Sequence, residues 1–356
     1  MLADFPRPGL HDLARQLKLS PSTISRALSG HRDVSDATKA RVRQAAQALH
    51  YTPNSLAASL RSGRSRTLGV IVPHLDGGFF PAVINGIEAA ASAAGLGVLL
   101  CQSGEQAARE RQHVETLLAA RVEAILVSVA AGTGRQLTHF QRAQQQGTPL
   151  IFFDRVLQLP GSSAVAVADR QGACQAVTHL LEQGCRRVAH FAGPQQLAPY
   201  RERYLGYLDA LRAADLAPDP QLLRRFRQPD RAWGGQQLRQ LLALESRPDA
   251  LFSASGLPAV GALEAALAQG LRVPDDLALA CFNNAPFTSM TGPPLTAVDQ
   301  QPEAVGAAAV RLFLTRHQAP ATGPAAQLQL PTRLLIRASS LRTAPATSPQ
   351  PAYPAC

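Results

Sequence analysis

The chain has 356 residues, 46% of them hydrophobic, and a formal net charge of +10. This length suits a small domain followed by a larger two-lobed one, and the hydrophobic fraction is ordinary for a soluble globular protein. The five cysteines are odd in number and widely spaced, without a Cys-x-x-Cys pair, which argues against a disulfide framework or a zinc site. The N-terminus has no apolar stretch typical of a signal peptide, and no apolar run is long enough to span a membrane. We therefore expect a cytoplasmic protein.

The positive charge is concentrated at the N-terminus. Residues 1–66 contain eleven Lys or Arg residues and only four acidic residues. A basic block attached to a nearly neutral body indicates a polyanionic partner for the block. The alternative is a solvated basic surface that reflects a general bias towards arginine.

Three helices are predicted in this basic block. The first covers residues 10–17, with Leu10, Leu13, Ala14 and Leu17 on one face. Ser20 can cap a second helix in which Pro21 fits the first turn, and Ser35 can cap a third that runs to about residue 49. The sequence TPN then breaks the chain before a short segment, SLAASLR, and a linker, RSGRSR.

The second helix has the residue types of a helix that enters the DNA major groove. Its inward positions are apolar and its outward positions are small, polar or basic. Arg26 can make a bidentate contact with guanine, whereas hydroxyl groups suit phosphate oxygens, which position the helix without specifying bases. An ordinary helical hairpin is the alternative. The candidate DNA-binding residues of this helix are Pro21, Ser22, Thr23, Ser25 and Arg26.

From Thr67 onwards, short apolar runs alternate with helical segments. The apolar runs are LGVIV, GVLL, AILVSV, LIFFD, AVAVAD, VAHFAG, ALFSAS and LALACF. This alternation predicts two parallel sheets with helices on both faces. Residues 341–356 are rich in Pro, Ala and Thr, and we expect a disordered tail.

Four motifs in the N-terminal block occur together, in order and at a fixed spacing. They are D-x-A, L-S-x-x-T-I-S-R, V-S-x-x-T and Y-x-P-N-x-x-A-x-x-L. In this combination the chain resembles the lactose-repressor (LacI/GalR) family of regulators. The resemblance runs from residue 9 to LLIRASS, near residue 340. One departure is Gly9, where the family often has Thr or Ser as a helix cap.

The resemblance implies an α/β protein with an all-α helix-turn-helix headpiece and a two-lobed, doubly wound core like that of periplasmic binding proteins. The implied domains are the headpiece, 1–53, a hinge helix and linker, 54–66, and the core, 67–340. Lobe one is expected at about 67–167 and 298–327, and lobe two at about 168–296 and 328–340.

The resemblance also implies a homodimer on a nearly palindromic double-stranded operator. Two hinge helices would enter the minor groove, where Leu60 would open a base step, and Asn54 belongs to the same DNA-binding set. The alternative for Leu60 is packing on the body of the protein. The dimer surface is expected on helices 82–94 and 110–120.

Eight positions match effector contacts of the family, around a cleft at the carboxyl ends of the strands. Two departures from the family, Ser255-Gly256 and Asn283, remove negative charge from this cleft. Because Arg155 and Arg203 remain, an anionic sugar derivative is favoured over a neutral sugar, and weak or absent effector binding is the alternative. The eight candidates are Phe79, Phe80, Ser128, Asp154, Arg155, Arg203, Asn283 and Gln300.

These features predict a sequence-specific transcriptional regulator of the nucleoid, a repressor controlled by a small molecule of the carbohydrate class. The alternative is a solute-binding protein of a sugar transporter, which would have no use for residues 9–60 and would need a signal peptide. An enzyme is disfavoured because no nucleophile–base pair is recognisable. No cofactor and no metal are expected.

Overall fold

The structure is a computed structural model that describes residues 9–49, 51, 65–134, 136–318 and 325–342. The chain divides into two compact units, Met1–Ser65 and Arg66–Cys356. The described part of the first is helical, and the second contains two sheets of mainly parallel strands. The predicted fold class is therefore confirmed. Asn54 and Leu60, assigned to the hinge helix, lie outside the described residues.

Three helices form the described part of the first unit. They are α1 (Leu10–Leu17), α2 (Pro21–Leu28) and α3 (Asp36–Ala48). Each contributes a fully buried side chain to a shared core, namely Leu13, Ile24 and Val42. The apolar spacing along each helix thus places one face of all three in a common core.

At the start of each of these helices, a side-chain oxygen accepts a hydrogen bond from a backbone N–H group that has no partner within the helix. The hydroxyl of Ser20 accepts a hydrogen bond of 3.1 Å from the Thr23 N–H, and Ser35 caps α3 in the same way. Gly9 has no side chain to cap α1, but the Asp12 carboxylate accepts a bond of 2.8 Å from the Gly9 N–H. This bond supplies the return half of a capping box.

The second unit is built from twelve described strands, nine described α-helices and a short described 3-10 helix, Pro220–Leu222. The strands are β1 (Thr67–Val72), β2 (Gly97–Gln102), β3 (Ala124–Val127), β4 (Leu150–Phe153), β5 (Ser163–Val167), β6 (Val188–Ala192), β7 (Leu223–Arg225), β8 (Ala250–Ser253), β9 (Ala278–Phe282), β10 (Thr296–Asp299), β11 (Gln327–Leu330) and β12 (Arg333–Leu335). The helices are α4 (Phe79–Ala93), α5 (Ala107–Ala119), α6 (Thr138–Gln145), α7 (Asp169–Glu182), α8 (Ala198–Ala213), α9 (Arg231–Leu242), α10 (Gly256–Ala268), α11 (Pro286–Ser289) and α12 (Pro302–Gln318).

Each sheet has six strands and forms the centre of one lobe. The first has the order β11-β5-β4-β3-β1-β2, and all its pairings are parallel. The second has the order β12-β10-β9-β8-β6-β7, in which only the β10–β12 pairing is antiparallel. Both faces are covered. Ile125 and Val127 of β3 join one apolar cluster, and Leu126 between them joins the cluster on the opposite face.

Helices α4 and α12 approach closely through two glycines of the first lobe. A Cβ atom on Gly86 would lie 2.1 Å from the carbonyl oxygen of Glu303, and one on Gly306 would lie 2.0 Å from that of Val83. Any side chain at either position would push the two backbones apart. The two helices can therefore pack closely only because both positions are glycine.

The lobe boundaries differ in two places from those assigned by sequence. Residues 298–299, assigned to lobe one, belong to β10 of the second sheet, and residues 328–330, assigned to lobe two, belong to β11 of the first. The chain passes from β11 to β12 at Pro331 and Thr332. Such short edge strands carry little periodic signal, so the crossing points are hard to place from sequence.

The ordered chain continues into the segment assigned to the tail. Arg342 donates through its guanidinium to the Asp249 carbonyl at 2.8 Å, so Leu341 and Arg342 are part of the folded unit, and the rest of the tail lies outside the described residues. Cys101, Cys185 and Cys281 are free thiols. None of the described helices is long and apolar enough to cross a membrane.

Candidate functional site

Helix α2 presents a polar surface opposite its buried face. Ile24 and Ala27 are fully buried, whereas Ser22 and Arg26 are exposed. Arg26 has no ion-pair partner among the described residues, so its guanidinium is free to reach a base edge or a phosphate. The other predicted DNA contacts, Pro21, Thr23 and Ser25, are half-buried along the same helix.

In the second unit a cavity of about 400 Å³ lies at the carboxyl ends of the strands. Its lining comes from segments that follow β1, β2, β3 and β4 of the first sheet and β6, β7, β8 and β9 of the second. Doubly wound sheets place ligands at this edge. Six of the eight predicted effector contacts line it, namely Phe79, Phe80, Asp154, Arg155, Arg203 and Asn283.

Ser128 and Gln300 do not line the cavity, although the sequence assigned both as effector contacts. Ser128 is fully buried and donates to an Asp154 carboxylate oxygen at 3.4 Å. Gln300 is 1% exposed, and its side-chain oxygen accepts a hydrogen bond from the amide of Asn283. Both therefore support a cleft residue from behind, because each points towards a neighbouring strand end instead of the cavity.

Asp154 is a buried carboxyl group of the cleft that has no charged partner within hydrogen-bonding distance. It has a positive φ of 58° at the end of β4, a backbone conformation that Asp tolerates better than most residues. Burial raises the pKa of Asp154, an effect that the nearby Arg155 and Arg203 only partly offset. Its closest cation, Nε of Arg155, is 3.9 Å away, beyond hydrogen-bonding distance. Asp154 can therefore accept hydrogen bonds from a ligand.

The guanidinium of Arg155 is occupied by Glu105. Its Nη1 and Nη2 atoms donate to the two carboxylate oxygens of Glu105 at 2.7 and 2.9 Å. Burial acts to raise the pKa of Glu105, but the hydrogen bond and charge of Arg155 outweigh it and the net shift is downwards. Glu105, in the loop after β2, is thus ionised and paired.

The guanidinium of Arg203 is also paired. Its Nε donates to Asp169 at 2.8 Å, Nη1 donates to the Ala254 carbonyl at 2.9 Å, and the group lies 3.9 Å from the ring centroid of Phe282. These contacts fix the orientation of the side chain. Burial raises the pKa of Asp169 to about 6, although Arg203 opposes this shift.

Aromatic rings form part of the cleft wall on both sides. Phe79 and Phe80 contribute from the first lobe, with their rings nearly perpendicular and 5.2 Å apart. Tyr200 and Phe287 contribute from the second lobe. Rings on both sides provide apolar surfaces against which a flat face of a ligand can stack.

Comparison with known proteins identifies the family. Residues 9–54 match the model of bacterial regulatory proteins of the lacI family, and residues 177–340 match that of a periplasmic binding protein-like domain. The transcriptional repressor CytR of Escherichia coli K12 is 33% identical over 336 residues, which cover 93% of this chain and 96% of CytR. The protein belongs to the LacI family.

Solved structures agree with this assignment. The Lac repressor dimer bound to operator and the anti-inducer ONPF is 26% identical with a TM-score of 0.84, and the match covers 94% of this chain and 99% of that one. A complex of the regulator CelR with cellobiose is 29% identical with a TM-score of 0.69, covering 94% and 100%. As a LacI-family member, the protein is a DNA-binding transcriptional regulator with a small-molecule effector domain.

The pairing of both buried arginines removes the sequence-based argument for an anionic effector. Arg155 and Arg203 are not free positive charges, because each has a carboxylate partner. Glu105 and Tyr200, which also line this LacI-family cleft, were not predicted. Glu105 follows the strand GVLLCQ, and Tyr200 lies one helical turn before Arg203, so the strand-end rule and helical spacing could have found them.

Proposed function

We propose that this LacI-family protein is a repressor that binds a nearly palindromic operator as a homodimer. A neutral, hydroxyl-rich molecule of the carbohydrate class would act as its effector in the cleft. The protein would act on the DNA of the bacterial nucleoid, in the cytoplasm. Three sets of observations support the DNA-binding, dimeric and ligand-binding parts of this proposal.

The DNA-binding part is supported by α2 and by the surrounding charge. Arg26 and Ser22 are exposed on a helix whose opposite face is buried, as a helix in the major groove requires. The basic surplus in residues 1–66 adds attraction to the phosphate backbone that does not depend on sequence. The solved Lac repressor neighbour is bound to its operator.

The dimeric part is supported by the edge strand β2. Leu99 is 43% exposed and Leu100 is 42% exposed, although both are large apolar side chains on the outer strand of the first sheet. An exposed apolar edge strand is prone to pairing or coverage by another chain. A second copy covering this edge would bury both leucines. The helices 82–94 and 110–120, expected at the dimer surface from the sequence, flank β2 in the chain.

The proposed effector class rests on the partners of the charged residues in the cleft. The two buried arginines of the cleft already have carboxylate partners, whereas the buried carboxylate of Asp154 has only a weak hydroxyl donor. A cleft of this kind offers acceptors to ligand hydroxyl groups and offers little to a phosphate or carboxylate. The CelR neighbour is complexed with cellobiose, a neutral sugar.

The effector would control DNA binding through its different affinities for two arrangements of the lobes. A ligand shifts such an equilibrium only by the difference in its binding free energy between the two states. Contacts from both lobes meet in this cleft, so a bound ligand touches both Asp154 of the first lobe and Tyr200 of the second. Lobe closure is therefore the step that binding would favour.

The test is an electrophoretic mobility shift on palindromes from promoters beside the protein's own gene, with random-sequence DNA as the control. We expect one palindrome to bind two chains, and one or more neutral sugars to change its affinity. Since binding to phosphates weakens as salt rises, the titration is repeated at several salt concentrations. A protein that prefers no palindrome at any salt concentration is not the proposed repressor.

A further inference from the structure

The loop after β2 places an acidic side chain against an arginine on the cleft wall. Glu105 accepts from both terminal nitrogens of Arg155, and one of its oxygens also accepts from the Ala131 N–H at 2.8 Å. Arg155 donates in addition to the Val129 carbonyl at 3.2 Å. The pair thus connects the loops after β2, β3 and β4, which fixes both side chains.

This pair has the geometry that an arginine uses to bind an acidic ligand. A guanidinium presents a planar fork whose two N–H groups match a carboxylate or phosphate. Here that fork is filled by a residue of the same chain, whose side chain remains 23% exposed towards the cavity. Glu105 therefore occupies the place that a ligand carboxylate would otherwise take.

Arg203 differs from Arg155 in where its partner lies. Asp169 pairs with Arg203 but is not part of the cavity lining, whereas Glu105 is. An incoming anion near Arg155 would meet the ionised carboxylate of Glu105 and the buried carboxyl group of Asp154 at the same wall. Like charges close together in a partly desolvated site disfavour binding, which is a common basis of selectivity.

We propose that Glu105 is a specificity-determining residue that makes the cleft selective for uncharged ligands by occupying the guanidinium of Arg155. This inference rests on the proposed effector role of the cleft. Without the Glu105 carboxylate, Arg155 becomes a receptor for an anion. The protein then gains binding of acidic molecules instead of merely losing binding of neutral ones.

The test compares anion binding by the full-length wild type, Glu105→Gln and Glu105→Ala. The probes are inorganic phosphate and D-glucuronate, with D-glucose as the neutral counterpart, in calorimetric titrations at constant ionic strength. We expect no saturable binding of either anion by the wild type and saturable binding by both variants, with affinity raised roughly tenfold or more. The double variant Glu105→Gln/Arg155→Gln should lose the gained binding.

A matched control is Glu264→Gln. Glu264 forms a similar bidentate ion pair with Arg231, and neither residue lines the cleft. This variant should behave like the wild type. Variants that fold but gain no anion binding overturn the proposal, and so does saturable anion binding by the wild type, which can be measured even if the variants do not fold. Failure of wild-type protein to bind any operator would instead reject the proposed function, and the two failures are therefore distinguishable.

Discussion

The side chain of Arg203 donates a hydrogen bond of 2.8 Å to Asp169, and both residues are almost completely buried, at 3% and 5% exposure. Asp169 is the first residue of α7, directly after the chain leaves the first sheet, and Arg203 lies on α8. A cleft arginine is thus fixed by a carboxylate at the junction between the lobes. A rotation of the second lobe about this junction would move Arg203 relative to the first lobe.

The burial of Asp169 predicts a dependence of stability on pH. Its pKa in the folded protein is about 6, above the ordinary value of 3.8, so its contribution to stability is fully present below pH 3.8. That contribution is lost as the pH rises through about 6, because the ionised carboxylate is poorly solvated. We expect the free energy of unfolding of the wild type, relative to Asp169→Asn, to fall between pH 4 and 7.

Denaturant unfolding at several pH values measures this difference. Asp276→Asn is the control, because Arg272 lowers the pKa of Asp276 to about 2 and the control should show no such trend between pH 5 and 7. A constant difference between the wild type and Asp169→Asn across the range would contradict the assignment.

Arg26→Ala should reduce base discrimination by α2. If Arg26 reads a base pair, its loss should cost about 1–3 kcal/mol on the preferred operator and relax the preference at one symmetric position. Selection of binding sites from random DNA, followed by affinity measurements, gives both quantities. Arg15→Ala on α1 removes the same charge from an exposed side chain and serves as the control. Equal weakening on all sequences would assign Arg26 to phosphate contact only.

Leu99→Glu should dissociate the proposed dimer. A charge placed in a buried interface is unpaired there and strongly unfavourable, whereas on an exposed edge it is tolerated. We expect a monomer in sedimentation experiments at micromolar concentration, together with weaker operator binding. Leu267→Glu, at a side chain that is also 43% exposed but lies on α10, should leave the oligomeric state unchanged. A dimeric Leu99→Glu would exclude this edge from the interface.

Glu110→Gln should destabilise the first lobe. The fully buried Glu110 accepts from the Ala130 N–H and the Thr133 hydroxyl, both at 2.7 Å, and contacts His139 at 3.0 Å. An amide cannot accept at both of its ends, so at least one buried donor loses its partner. We expect a loss of about 2–4 kcal/mol in the free energy of unfolding.

Denaturant unfolding measures this loss. The control is Glu115→Gln on the same helix, where an exposed pair with Arg142 is removed and the change should stay below about 1 kcal/mol. Equal effects of the two substitutions would show that the buried network contributes no more than a surface pair.

The sequence predicts the helices and strands of this fold better than it predicts the points at which the chain crosses between the lobes. The helix starts at Ser20 and Ser35 follow from short-range capping, and the alternation of apolar runs with helical segments gives both parallel sheets. The assignment of residues 328–330 fails because the strand QLQL is a mostly exposed edge. Its pairing with β5 depends on distant residues and not on local pattern.

In the cleft, too, some features follow from the local sequence and others depend on residues that are distant in the chain. Strand-end position finds Asp154 and Arg155, because parallel strands bring their carboxyl ends to one edge. The partner of Arg155 is not its sequence neighbour Asp154 but Glu105, from a loop far away in the chain. Only the folded structure shows that the two arginines are paired, and this changes the ligand class that the cleft favours.

The interlocked glycines of α4 and α12 have a consequence for synthesis of the protein. Gly86 leaves the ribosome about 220 residues before its packing partner near Gly306 is made, and the edge strand β11 follows later still. The first lobe cannot be completed until then, and contacts so distant in sequence form slowly. The nascent chain must therefore keep a partly exposed apolar surface on α4 while most of the second lobe is translated, a period in which chaperones could bind it.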